Sequence, residues 1–485
     1  MAGAVGGLWN DSSFKMRYLP FKGSCQLNVE SHGETPIDFV NLFIDDSFLD
    51  LLICGTNESL KVKNMNNPPC NQDYCLPVDR TEMRIFFAFI LYSGIIKLPR
   101  IEDFWRNDSF FKIQYLTEKM KKFRFLTLLK NICSSNKIDS TMSKAVANNL
   151  YQVEPLVSFF NRKMDIFLPS KQIFITEPIV LVKNGFKYKN ELPSASLKNS
   201  LKLFVLADCS KCILKIFMGN GIDDLQENEI LKISIAMKLL ENHLDKGHSL
   251  YMDRYYSSLA LSTILLDKST YSNGIISPAQ KHFPKTLVAF ELLEGQLAAK
   301  YSNGICVSKM RVGSEEKYFI SSEFNDEKNK VQTKNGIKLL PKVVCRIKEG
   351  ISAYTALQTD TSELYPFEKQ FFRWHRKVIF HILHIMMMNS YYLFKQFSGT
   401  NNTDMDLYNF RLHVIKSFIS SDSKIGTSNT NFTNFHNPRR LKSESACKLC
   451  SMKNVAKSSY FCCLDCQDKP FLCLEPCFKM YHEKR

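Results

Sequence analysis

The chain has 485 residues, too many for one ordinary hydrophobic core, and its length predicts two to four domains. Apolar (45%) and charged (23%) contents are those of a folded soluble protein and exclude a disordered or fibrous chain. The net charge of +16 and pI near 9.0 favour a polyanionic partner, most simply nucleic acid, over a merely lysine-rich surface.

The first 35 residues read as weakly structured. They lack the basic start and apolar stretch of a secretory signal, so a reducing compartment is expected, with thiols or metal ligands rather than disulfides. From Pro36 to Pro169 the pattern is helical. "DRTEMRIFFAFILYSGII" opens on Asp79, an N-cap with Glu82 three residues on. "LTEKMKKFRFLTLLKNI" is apolar on one side and basic on the other. There Lys121, Lys122 and Arg124 either contact phosphate or form a solvated face.

The pattern then changes to α/β. "QIFITEPIVLV", "LKLFVLADC" and "CILKIFMGN" are β-rich, the last two joined by a short turn that holds Cys209 and Cys212. "EILKISIAMKLLENHL" is a helix, "HSLYMD" a strand ending on Asp253, and "SSLALSTILLDKS" a helix with a serine cap. Further strands with a polar insert follow, then the long helix "FFRWHRKVIFHILHIMMMNSYYLF". The most apolar runs, Ile85 to Ile96 and His381 to Phe394, are shorter than the ~18–20 residues of a membrane span. Residues 420–446 are rich in Ser, Asn and Thr, end in "NPRRLK" with Arg439 and Arg440, and read as a flexible basic linker.

Seven of the 16 cysteines lie after Ala446. Cys447-x-x-Cys450 and Cys463-x-x-Cys466 precede Cys473, Cys477 and His482, a pattern that predicts zinc. The two-residue spacing lets a tight turn aim both sulfurs at one ion. A segment this short has almost no core, so the metal must supply much of its folding energy. Six cysteines and one histidine make seven ligands, one short of two closed sites. Cys462, His413, His436 or a water remains open as the eighth, and one site or two cross-braced sites both fit.

Read together, these segments resemble the piggyBac-type transposases and the proteins derived from them. The resemblance runs from about Pro36 to His482 and rests on six segments in order: "FFAFILYSGIIKLPRIEDFW", "MKKFRFLTLLKNI", the stretch from "ITEPIVLV" to "IFMGNG", "MDRYYSSLALSTILL", "FHILHIMMMNSYYLFKQF" and the tail ending "CFKMYH". It implies a ribonuclease H-like α/β core flanked by an all-α dimerisation and DNA-binding region and a small zinc domain. The expected layout is helical over 36–169, core over 170–284 and 341–362, a β-rich insertion over 285–340, helices again over 363–419, and zinc over 447–485. The chemistry it implies is strand transfer by two divalent ions, normally magnesium, held by three aspartates.

By that resemblance the second aspartate is Asp253, whereas the first falls on Thr176 and the third on Tyr354, or on Ser352 or Thr355 if the alignment slips. Glu177 points to the opposite face of a regular strand, and Asp360 is about two helical turns away. Ser277 replaces an expected arginine in the loop after the second motif, where Gly274, Pro284 and one base, Lys281, are kept. Arg254 replaces an asparagine beside Asp253 and is placed to pair with it, leaving Asp253 as a helix-capping remnant. The reading is a nuclear, homodimeric DNA- or chromatin-binding protein without transposase activity. Two alternatives are an active metal-dependent transposase using Asp253, Glu177 and Asp360, and a zinc-stabilised protein-interaction module.

Overall fold

The computed structural model describes residues 9–11, 16–29, 33–66, 76–106, 114–134, 149–175, 179–182, 201–219, 229–312, 314–333, 336–347, 349, 373–399, 404–420, 438–452, 455–463, 466, 468–473 and 476–482. It divides into two compact units, 1–422 and 423–485.

The first unit opens on strand β1 (Gln26–Leu27), followed by helices α1 (Pro36–Asn41), α2 (Asp46–Asn66), α3 (Arg80–Ile95), α4 (Gln114–Thr117), α5 (Lys122–Asn131) and α6 (Glu154–Lys163). The Asp79 carboxylate accepts from the Glu82 amide at 2.7 Å, the cap expected for α3. Every residue from Ile85 to Leu91 is buried. A helix apolar all round needs neighbours on all sides, and α3 is a core helix of a large unit rather than a membrane span. The same holds for α10 (Trp374–Phe397), buried without interruption from Val378 to Ser390, which is followed by α11 (Leu407–Ser420). No helix among the described residues is long and apolar enough to cross a membrane.

The remaining elements of this unit are β2 (Phe167–Leu168), β3 (Gln172–Ile175), β4 (Ile179–Val182), β5 (Leu201–Asp208), β6 (Ile213–Gly219), α7 (Glu229–Leu240), β7 (Ser249–Met252), α8 (Leu259–Asp267), β8 (Tyr271–Ile275), α9 (Lys285–Ala289), β9 (Leu297–Ser302), β10 (Ile305–Val312), β11 (Glu315–Ser321) and the hairpin β12 (Lys328–Thr333)–β13 (Gly336–Pro341). Nine of these strands form one mixed sheet, ordered β4-β5-β3-β7-β8-β11-β10-β9, with β6 also on β5. Its centre, β3-β7-β8, is parallel, and the flanking pairings are antiparallel. β7, α8 and β8 form a crossover unit, with Ser258 Oγ accepting from the Leu261 amide at 3.1 Å to start α8.

Three sequence expectations are qualified here. Within the β-rich insertion after Pro284, β11 pairs with β8 and extends the central sheet through β10 and β9, while β12 and β13 form a two-stranded sheet of their own. Within the N-terminal segment, the described residues 9–11 and 16–29 are held by distant partners. The Tyr271 hydroxyl accepts from the Leu19 amide at 2.6 Å and donates to the Arg17 carbonyl at 2.9 Å. Phe21 packs edge-on against His248 at 4.9 Å, Lys22 N donates to Lys246 O at 2.9 Å, and Asn10 bridges Tyr301 of β9. These partners lie more than 200 residues away, so no local periodicity announces them. Third, the linker expected over 420–446 ends early, as described below.

The outer edge of the sheet at β6 is closed by side chains. Asn389 of α10 accepts from Ile213 N and donates to Ile213 O, both at 2.9 Å. Asn161 of α6 does the same to Ile216, at 2.9 and 3.0 Å. Two amides thus stand in for a neighbouring strand and satisfy backbone groups that burial would otherwise orphan.

In the second unit, β14 (Pro438–Ala446) pairs with β15 (Ser458–Cys463), and α12 (Lys448–Met452) and α13 (Cys477–His482) complete it. The strand begins nine residues before Cys447, inside the stretch that composition marks as linker. Its polar residues are compatible with a strand because it is one side of a small two-stranded ribbon with little core to face.

Candidate functional site

The parallel strands β3 and β7 run in register with Ile175 opposite Met252. Asp253 follows Met252 at the C-terminal edge of the sheet, the usual place for a ligand in such topologies. The Asp253 carboxylate is turned on its own chain. Oδ1 accepts from the amides of Tyr255 (2.9 Å) and Tyr256 (3.4 Å), and the Asp253 carbonyl accepts from Ser257 N (3.1 Å) and Oγ (2.8 Å). This is an Asx-type turn. It corrects the expectation that Asp253 caps α8, since Ser258 takes that role one turn later.

Gly274 of β8 is fixed by this turn. A Cβ there would lie 2.1 Å from Ser257 Oγ and 2.7 Å from the Met252 carbonyl. No salt bridge among the described residues joins Arg254 to Asp253; the Arg254 Nη2 donates to Ser277 Oγ at 3.2 Å. Gln280 Nε2 donates to the Ser257 carbonyl at 2.5 Å, and Lys281 beside it is exposed. Thr176, Glu177, Ser352, Tyr354, Thr355 and Asp360 lie outside the described residues. Among those described, Asp253 belongs to no group of three or more His, Cys, Asp or Glu ligands at this edge.

At the start of α5, Lys121 is exposed and Lys122 half-buried. Arg124 differs from the expectation of a phosphate contact. It is buried, paired through Nε and Nη2 with both Glu82 oxygens at 2.6 Å, while Nη1 donates to the Leu76 carbonyl at 2.8 Å. The same Glu82 follows the α3 cap, so Arg124 ties α5 to the start of α3. Arg439 and Arg440 sit in β14, opposite Cys462 and Phe461.

In the second unit, Cys447, Cys450, Cys473 and Cys477 bring their sulfurs within 4.8 Å of one another. The Cys450 sulfur lies 3.5 Å from that of Cys477 and 3.9 Å from that of Cys473. Four thiolates at about 2.3 Å from a tetrahedral ion stand about 3.8 Å apart, so this set fits one soft metal ion. Burial raises the Cys447 thiol, but the Cys450 and Cys473 amides and thiols outweigh it and bring it down to about 7, toward the ligating form. The first pair of cysteines is therefore joined to the third and passes over the second. Cys463 and Cys466 are buried but outside this set, and the His482 side chain lies outside the described residues.

Sequence reasoning missed Asp208, at the end of β5. Its Oδ1 accepts from Ser210 N (2.9 Å), Ser210 Oγ (2.5 Å) and Cys212 N (3.3 Å), which shapes the turn around Cys209 and Cys212. Desolvation pushes its carboxyl up to about 6. The signal was legible as Asp-x-Ser at a hairpin turn, but its burial was not.

The first unit is thus a mixed sheet packed with helices and carrying a carboxylate at its parallel edge, and the second is a four-cysteine unit. The sequence profile of the family described as transposase IS4 matches residues 35–391, and the chain belongs to this family, in its piggyBac-type branch. Among curated human proteins it is 20% identical to PiggyBac transposable element-derived protein 3 over 249 residues, 50% of this chain and 40% of that one. It is also 20% identical to the Chimeric ERCC6-PGBD3 protein over 249 residues, 22% of that protein. The match thus spans less than half the length of either relative. The fold is similar to that in a cryo-EM structure of the piggyBac transposase synaptic complex with hairpin DNA, with a TM-score of 0.65, 15% identity, and coverage of 91% of this chain and 96% of that one.

Proposed function

We propose that this chain is a transposase-derived, catalytically silent DNA-binding protein of the nucleus, acting on chromatin as a homodimer. The observation that carries the loss of activity is the absence of carboxylates at two of the three expected positions; the third, Asp253, also supports its own turn, Oδ1 accepting from the amides of Tyr255 and Tyr256. On this reading the mixed sheet is a degenerate ribonuclease H-like core, and Thr176 and Tyr354 stand where the resemblance expects carboxylates. Magnesium binds through several hard, charged oxygens, and two neutral hydroxyls in place of two carboxylates do not fit it.

DNA as partner is supported by the net charge of +16 and by a fold shared with a transposase whose structure was solved with hairpin DNA. Lys121, Lys122, Lys281, Arg439 and Arg440 are the cations assigned to phosphate, whereas Arg124 is withdrawn from that set because of its Glu82 pair. Zinc is the metal assigned to the cysteine unit, since four thiolates with tetrahedral spacing suit it and the site has a structural, closed character.

The test is incubation of the purified chain with transposon-end DNA and magnesium or manganese. No cleavage or joining is expected. Cleavage that disappears in Asp253→Ala would make the chain an active transposase. Salt-independent DNA binding, or none at low salt, would favour the interaction-module reading.

A further inference from the structure

We infer that Cys25 and Cys209 form a reversible thiol–disulfide site, oxidised by a small-molecule disulfide such as glutathione disulfide, that latches the N-terminal segment to the end of the central sheet. The inference is independent of the DNA-binding reading. Both thiols lie outside the four-cysteine set of the second unit and away from the Asp253 edge.

The path of the chain places Cys25. Before it, Phe21 packs against His248, Lys22 N donates to Lys246 O at 2.9 Å, and His248 Nδ1 lies 3.1 Å from the Ser170 carbonyl oxygen. After it, β1 pairs antiparallel with β2, Gln26 opposite Leu168, and Asn28 N donates to Ile166 O at 2.7 Å. Cys25 therefore crosses beside Pro169 and Ser170, one residue beyond the Gln26–Leu168 pair. The second thiol reaches the same Ser170 from another element. Cys209 follows β5, its amide donates to Gln172 O at 3.3 Å, and its sulfur lies 3.0 Å from Ser170 Oγ. Gln396 of α10 donates from Nε2 to the Cys25 sulfur at 3.0 Å. Both thiols are exposed, and Cys25 lies within electrostatic reach of Cys209.

Cys212 is nearer to Cys209 in sequence but less available. It is wholly buried, its amide donates to Asp208 Oδ1 at 3.3 Å, and its carbonyl accepts from Asp208 N at 3.0 Å. An outside oxidant meets Cys209 and Cys25 first. Burial raises both of these thiols, offset in part by Gln396 at Cys25 and by Ser170 at Cys209. At neutral pH they rest protonated, so placement rather than an acidic thiol favours the bond.

The Cys209 thiolate attacks one sulfur of the small disulfide and expels a thiolate, which leaves a mixed disulfide. The Cys25 thiolate then attacks the Cys209 sulfur and expels the second small thiolate. Two electrons pass from the protein to the small disulfide, and the protons of the two protein thiols end on the two small thiols released. Excess reduced thiol reverses the step, so the bond is transient in a reducing compartment. Strand β1 has two residues, and a short element of this kind opens locally until a covalent bond closes the loop behind it.

The experiment is incubation of the full-length chain with glutathione disulfide, followed by non-reducing peptide mapping by mass spectrometry and by amide hydrogen exchange over residues 19–28. A Cys25–Cys209 cross-linked peptide that disappears on reduction is expected, with exchange of the Leu27 and Asn28 amides slowed about tenfold. Cys25→Ser and Cys209→Ser should each lose the cross-link and the slowing, while melting as the reduced parent does. A bond between Cys209 and Cys212, glutathione adducts without a cross-link, or a Cys25–Cys209 bond that leaves exchange unchanged would each overturn the latch.

Discussion

The sheet edge and the cysteine unit relate side-chain chemistry to fold in opposite ways. In the first unit the core is made by apolar burial from α1 to α11; that packing holds the unit, and Asp253 is one local turn within it. In the second unit the buried cluster is largely the cysteines themselves, with Leu472 and Phe478. There the cysteines that could hold a metal are the core, and chemistry and fold cannot be separated.

The sharpest way to break this contrast is metal removal. Chelation, or Cys473→Ser, should unfold the second unit outright, a loss on the order of 10 kcal/mol of metal-linked free energy. The melting transition of the first unit should stay where it was. Calorimetry that shows one joint transition, shifted in both conditions, would contradict it.

Within the first unit, stability should reside in buried polar clamps rather than at the Asp253 edge of the sheet. Asn389→Ala leaves both Ile213 backbone groups without their partner, at a cost of about 3 kcal/mol by denaturant unfolding. Asp208 should give a pH signature of similar size. Its carboxyl is raised by burial to about 6 in the fold, so the folded state holds its proton more tightly than the unfolded chain. Stability is then greatest below about pH 4 with respect to this group and falls by about 3 kcal/mol as pH rises to 6 and beyond. Asp208→Asn should flatten that fall, which a series of melts between pH 4 and 7 would reveal. The smallest effect belongs to Asp253→Ala, about 1 kcal/mol for the lost turn bonds. A loss several times larger would mean the edge is still integral to the core.

Much of the organisation was legible in sequence because it is local. The caps at Asp79 and Ser258, the helical period of α3 and α10, the strand before Asp253 and the Cys-x-x-Cys pairs all act over a few residues. Net charge and cysteine spacing likewise pointed to a polyanion and a metal without any tertiary contact. What the tertiary structure alone decided are pairings between distant segments. It turned Arg124 inward to Glu82, 42 residues back, and set Arg254 against Ser277. It clamped the N-terminal segment through Tyr271, joined β11 to β8, and chose the third pair of cysteines over the second as partner of the first. Each depends on which side chain meets which after the chain has closed large loops, and sequence spacing carries no such information.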